Sequence, residues 1–312
     1  MNAIVNLGHG VYQVDAMYTG PGVACLYCIV EDGLVAIVET GTAHSLPGVL
    51  QLLDDLGLTP ENVRYVVPTH VHLDHAGGAG VMMKAFENAE LVIHPRGARH
   101  MIDPEQLVLA TRAVYGDEVF DRLYGEIPPI DENRVITADD GYRFKLGQRE
   151  LLILDTPGHA FHHFCVYDEK SRGVFSGDTF GLSYPQIKHH GERFILPTTT
   201  PTHFAPELLR QSVQRIMDLA PEHIYLTHFG LLPDPASHVE QYLRGIDRLV
   251  EITQSVEPTN DENGLNELQG AVSQWLRDEF DLGQAVIDGA LANDIRLNSQ
   301  GLAHWYQRQL QS

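Results

Sequence analysis

Residues 69–78 read THVHLDHAGG, which sets His70, His72, Asp74 and His75 within six positions. Imidazole is polar and titrates near neutral pH, so packing alone gives no reason to crowd three of them. Neutral imidazole nitrogens and a carboxylate are good ligands for a borderline divalent cation. In an extended segment His70 and His72 project to the same side, and a turn then brings Asp74 and His75 round beside them. Four donors from so short a run do not suit one catalytic ion that keeps an open position. Two ions sharing the run is the more natural reading, and it requires ligands from elsewhere. His159 after LLILDTPG, Asp178 at the end of RGVFSG and His228 at the end of IYLT are the candidates. Any one of them alone reads as an ordinary satisfied polar residue, but five histidines and two aspartates at equivalent strand ends are hard to dismiss. A carboxylate at Asp178 could bridge the ions, because cations about 3.5–4 Å apart repel unless anions lie between them. Two cations sharing a water lower its pKa toward about 7, giving a hydroxide for attack on a carbonyl or phosphoryl centre. Asp74 is the candidate for orienting that nucleophile and relaying its proton.

The elements that must position these groups alternate. Residues 34–41, 63–70, 89–95, 149–159, 161–168, 172–178 and 222–228 read as strands, rich in Val, Ile, Leu, Phe or Tyr and mostly ending at Gly, Pro, Asp or His. Helical spacing marks 46–56, 76–87 and 206–219. Strands alternating with helices imply an α/β fold with covered sheets. His70 lies where a buried strand gives way to a helix, which is where such sheets present functional groups. Residues 97–135 read as a helical excursion over the surface, and 183–204 as a long polar loop of the kind that lines sites. Beyond residue 237 the texture turns helical, with Val239, Leu243, Ile246 and Val250 at helical spacing. The reading is therefore a catalytic domain over 1–237 and a helical extension over 238–312. The apolar face of that extension suggests a homodimer contact.

Composition narrows the class. The chain has 312 residues, 43% of them hydrophobic and 20% charged, which is ordinary for a globular protein. A net charge of −21 opposes phosphate backbones and anionic membranes. The expectation is a cytoplasmic protein with a small-molecule substrate and neither nucleic acid nor membrane as partner. The start lacks a basic segment followed by an apolar run, and no stretch approaches the roughly 20 apolar residues of a spanning helix. Cys25 and Cys28 form a C-x-x-C, but in a strand, positions three apart point to opposite faces, so both read as packing residues.

The run H-x-H-x-D-H at 70–75, TPGH at 156–159, SGDT at 176–179 and LTH at 226–228 resemble the metallo-β-lactamase superfamily in order and approximate spacing. The likeness covers roughly residues 5–230 and is nearest to the glyoxalase II-like and lactonase-like hydrolases. It implies a four-layer αββα sandwich. It implies His70, His72 and His159 on one ion, Asp74, His75 and His228 on the other, and Asp178 bridging. ETG at 39–41 matches the family's acid-Thr-Gly, with Glu39 where Asp is usual; such an acid would orient ligands from behind. The ions expected are zinc, with iron or manganese as alternatives. The activity implied is hydrolysis of an ester, thioester, lactone or phosphodiester. Tyr184 could donate to a developing oxyanion, and His163 and His203 lie in segments expected near the substrate, as do His162, His189 and His190. Two rivals remain: a di-iron protein that binds or reduces oxygen, since the same ligands suit iron, and a ligand-binding signalling protein without turnover. Related flavin-linked di-iron proteins usually carry Glu where this chain has His72.

Overall fold

The computed structural model describes residues 4–189, 192–199 and 202–311. Among them no helix is long and apolar enough to cross a membrane. The chain forms two compact units, one of Met1–Asp155, His162–Gly177 and Pro221–Pro233, the other of Thr156–Phe161, Asp178–Ala220 and Asp234–Ser312.

The first unit is built on two sheets. One takes the strands in chain order: β1 (Ile4–Asn6), β2 (Val11–Asp15), β3 (Cys25–Glu31), β4 (Leu34–Val38), β5 (Val63–Val67), β6 (Glu90–Ile93) and β7 (Val135–Thr137). Pairing is antiparallel from β1 to β4 and parallel from β4 to β7. The parallel half needs crossovers, and helices supply them. These are α1 (Leu46–Asp55), α2 (Leu73–Ala76), α3 (Ala79–Ala85), α4 (Pro95–Ile102), α5 (Glu105–Tyr115) and α6 (Asp117–Tyr124). The second sheet contains β8 (Arg143–Leu146), β9 (Arg149–Asp155), β10 (Phe164–Asp168) and β11 (Gly173–Leu182). After the small hairpin β12 (Lys188–His189) and β13 (Glu192–Arg193), it is completed by β14 (His223–His228) and β15 (Gly230–Pro233), in the order β15-β14-β11-β10-β9-β8.

The pleat divides the apolar residues between two cores. Tyr27, Ile29, Val38 and Val67 of the first sheet meet Ile153, Phe164, Phe175 and Tyr225 of the second. On its other face the first sheet packs Leu26, Ile37 and Val66 against Val49, Leu52 and Met82 of α1 and α3. Cys25 lies in the core between the sheets and Cys28 in the helix-covered one, on opposite faces of β3. Burial pushes each thiol up to about 12, so both are inert apolar fillers.

The second unit is mostly helical: α7 (Pro206–Met217), α8 (Val239–Val256), α9 (Glu262–Phe280), α10 (Gln284–Ile287) and α11 (Ala292–Gln309). Tyr242, Ile246, Leu249, Leu268, Leu276 and Leu302 are buried in it. The segment 97–135, expected as a surface excursion, holds α5 and α6 and its own small core, where Phe120 and Tyr124 pack with Leu73.

Candidate metal centre

His70 lies just past β5, after Pro68 and Thr69, and β5 is parallel to β4, which Glu39 follows. Two adjacent parallel strands thus deliver the histidine run and an acid to the same edge. Glu39 is 1% exposed and adopts φ +67°, a left-handed conformation uncommon for a residue with a side chain. Its Oε1 accepts from the Thr69 hydroxyl (2.6 Å), His75 Nδ1 (2.9 Å) and the Thr227 hydroxyl (3.0 Å), and its Oε2 from the Thr69 backbone N–H (3.1 Å). Thr40, next in the chain, donates its N–H and its hydroxyl to the His75 carbonyl at 2.8 and 2.7 Å. Glu39 and Thr40 together clamp His75 by ring and backbone. That is a physical reason for the acid-Thr pair.

These partners fix tautomers. A carboxylate can only accept, so neutral His75 carries its proton on Nδ1 and presents the Nε2 lone pair. The carbonyl of Val23 can likewise only accept, so His228 Nδ1, 2.9 Å away, donates and Nε2 is presented. Both Nε2 atoms point at Asp74 Oδ2, from 3.6 Å for His75 and 3.4 Å for His228. Ligand atoms of Asp74, His75 and His228 all lie within 4.8 Å of one another. Two imidazole lone pairs and a carboxylate oxygen that converge with no proton to share suit a common cation. Asp74 is the accessible member, its side chain 24% exposed against 0% for His75.

His70 and His72 belong to the same unit. The Thr69 hydroxyl, having donated to Glu39, accepts from His70 Nδ1 at 3.1 Å, and His70 Nε2 faces His72 Nδ1 at 2.7 Å. His163 is buried with its ring 4.9 Å from that of His70, and His162 stacks 6.1 Å from the same ring. A Cβ on Gly177 would meet His163 Nε2 and the Thr69 hydroxyl at 2.5 Å, so the residue before Asp178 must be glycine.

In the second unit His159 Nε2 lies 3.2 Å from Asp178 Oδ2. His159 Nδ1 approaches the Thr198 carbonyl at 3.4 Å and its hydroxyl at 3.3 Å. Gly158 precedes it with φ +129°, and a Cβ there would strike the Leu209 backbone at 2.3 Å. Asp178 sits inside β11, which runs on to Leu182 rather than ending at the aspartate. The Tyr184 hydroxyl donates to both Asp294 oxygens at 3.2 Å. The His203 ring lies 4.9 Å from that of Phe161. Burial lowers the His203 pKa, with Arg308 and His304 adding to the effect. The side chain of His189 and all of His190 lie outside the described residues.

Sequence reasoning missed Tyr18 and Tyr124, whose hydroxyls are 3.2 Å apart. Burial first, then the negative Asp74, push both phenols up, so each stays a protonated donor at neutral pH. Neither carries a motif: Tyr18 lies in the β2–β3 connection and Tyr124 at the end of α6, 106 positions away.

Residues 19–228 match the family model described as the Metallo-beta-lactamase superfamily. A metallo-beta-lactamase fold-containing protein of Sulfurisphaera tokodaii, ST1585, is 24% identical over 229 residues, 72% of this chain and 80% of that protein. Its crystal structure superposes with a TM-score of 0.67 at 22% identity, covering 95% of this chain and 98% of that one. The acyl-coenzyme A thioesterase MBLAC2 of Gallus gallus is 25% identical, over 55% of this chain and 63% of its own length. A hydroxyacylglutathione hydrolase of Methylococcus capsulatus is 29% identical over 49% of this chain and 46% of its own.

Proposed function

The chain belongs to the metallo-β-lactamase superfamily, and from that premise we propose that it is a metal-dependent hydrolase of small-molecule ester-type bonds, with thioesters the first substrate class to try. The observation that carries the reading is the Asp74–His75–His228 group, in which both Nδ1 atoms are committed to acceptors and both Nε2 atoms face one carboxylate oxygen. Thioesters come first because two relatives are named for acting on acyl–sulfur compounds.

In this reading His70, His72 and His159 would hold one divalent ion and Asp74, His75 and His228 a second, with Asp178 as a further ligand. Zinc is the proposed metal. Bound there, the ions would lower the pKa of a water toward about 7 and polarise the substrate carbonyl. The protein's own part is orientation and proton handling. Glu39 holds His75 directly and His70 through Thr69, so those rings keep one tautomer. Asp74, the exposed member, takes the proton released by the attacking water. Tyr18 and Tyr124 offer neutral donors to a polar group of the substrate.

The test is a panel of thioester, ester, lactone and bis-phosphodiester substrates with protein loaded with Zn, Mn or Fe. Turnover of the thioester or ester, lost on exhaustive chelation and restored by metal, is the expected result. Full activity after chelation ends the proposal. Silence across the panel would favour a binding role, and an oxygen-sensitive iron chromophore the di-iron alternative.

A further inference from the structure

We propose that Asn298, on the C-terminal helix α11, is a positioning residue for the ligand pair His159–Asp178, and that it acts through Thr198. The inference rests on the metal-site reading above and assigns the helical extension a part in it.

Asn298 is 3% exposed, and its side-chain amide reads the backbone of another segment. Its Nδ2 donates to the Pro197 carbonyl at 2.9 Å, and its Oδ1 accepts the Thr199 N–H at 2.8 Å. Proline offers only a carbonyl there, and the Thr199 amide only a donor, so the amide has one orientation. The Thr199 hydroxyl donates back to the Asn298 carbonyl at 2.8 Å. These three bonds bracket a single residue, Thr198.

Thr198 is where the two ligands are tied together. Its hydroxyl donates to the Asp178 carbonyl at 3.0 Å, and its carbonyl and hydroxyl oxygens lie 3.4 and 3.3 Å from His159 Nδ1. That contact turns the ring so that Nε2 faces Asp178 Oδ2 at 3.2 Å. A second tie comes from α8, where the buried Tyr242 hydroxyl donates to the Thr179 carbonyl at 2.9 Å. Outside support is needed because His159 sits in a loop behind a glycine at φ +129°, with no strand pairing of its own. A metal ligand must be held to about 0.5 Å, and a loop does that only when other elements pin it.

The experiment uses the full chain. Zn(II) affinity of wild type, Asn298→Ala, Thr198→Val, Thr198→Ser and the Asn298→Ala/Thr198→Val double variant is measured by chelator competition, and melting of the metal-free proteins by circular dichroism. Asn298→Ala and Thr198→Val should each weaken Zn(II) binding about 10- to 100-fold, the range found when a group supporting a ligand is removed. The double variant should lose little more than either alone, because both act through one residue. Thr198→Ser, which keeps the hydroxyl, should stay near wild type. Should Asn298→Ala fail to fold, the two Thr198 variants still decide whether Thr198 supports the ligands. Lowered melting temperatures with wild-type Zn(II) affinity would overturn the inference, as would two independent losses that multiply. A wild type that binds no Zn(II) would instead remove the metal-site reading itself.

Discussion

His75, Thr69 and Thr227 converge on one buried carboxylate, whereas His159 and Asp178 are held by the hydroxyl and carbonyl of one threonine. Glu39 accepts four hydrogen bonds in the first case. Charge-assisted bonds to a buried anion are short and strong, roughly twice the strength of neutral ones. In the second case the holding groups are neutral, and the support passes through Thr198 to Asn298 on a helix 100 residues further along the chain, the difference between those two numbers. The first group is a hub, vulnerable at one point. The second is a relay, in which each bond is modest and several residues share the task. Hub partners also come from segments whose positions β4, β5 and β14 fix independently. The relay holds His159, a loop residue with no such frame, against Asp178 of β11.

Removing the hub charge should therefore have the largest effect. In Glu39→Gln the side-chain oxygen can keep the three bonds at Oε1, but the new NH₂ then faces the Thr69 N–H, donor against donor. Orphaning that donor and weakening the others should cost about 2–4 kcal/mol in chemical denaturation. Metal should be lost by the histidine run along with the stability. A variant as stable as wild type with full metal content would show that the hub is no more important than any link in the relay.

The contrast also explains what the sequence made legible. The alternating architecture was readable from its apolar runs, and the crowding of His70, His72, Asp74 and His75 made that strand end stand out as a candidate site. The sandwich could be inferred from the same motifs, and Glu39 from its place before Thr40 and Gly41. The supporting groups were not readable. Thr69 and Thr227 are common residues whose task depends on a carboxylate 30 and 188 positions away. Thr198 and Asn298 lie in a polar loop and in the interior of a helix, and neither position has a spacing that marks it. Tyr184, singled out six residues after Asp178 as a donor to a developing oxyanion, has its hydroxyl on Asp294 within the helical unit.

Tyr184→Phe sharpens the comparison at a smaller scale. It removes a tie between the same loop and α11, but one that does not pass through Thr198. The expected loss is about 1 kcal/mol of stability, an ordinary hydrogen bond, with Zn(II) affinity unchanged. Weakened metal binding would mean that any loosening of the loop disturbs the ligands, and the relay would lose its specificity. An altered KM at unchanged stability would place Tyr184 at the substrate.

The smallest expected effect concerns pH. Each unit has a histidine whose pKa is lowered, mainly by burial: His100 in the first, with Arg99 adding, and His203 in the second, with Arg308 and His304 adding. The folded protein holds both neutral below the ordinary value of 6.5, where the unfolded chain takes up the protons. Unfolding then binds protons, so this contribution to stability is complete above pH 6.5 and is lost as pH falls toward the folded pKa values. His203→Gln and His100→Gln should each flatten the decline of stability between about pH 7 and 5, read from urea midpoints against wild type. Neither group touches the hub or the relay in a bond described above, so the two variants should behave alike despite their different units. A steeper decline in His203→Gln would mean that its ring is protonated in the folded state, making it a charged group within the helical unit rather than a packed neutral one.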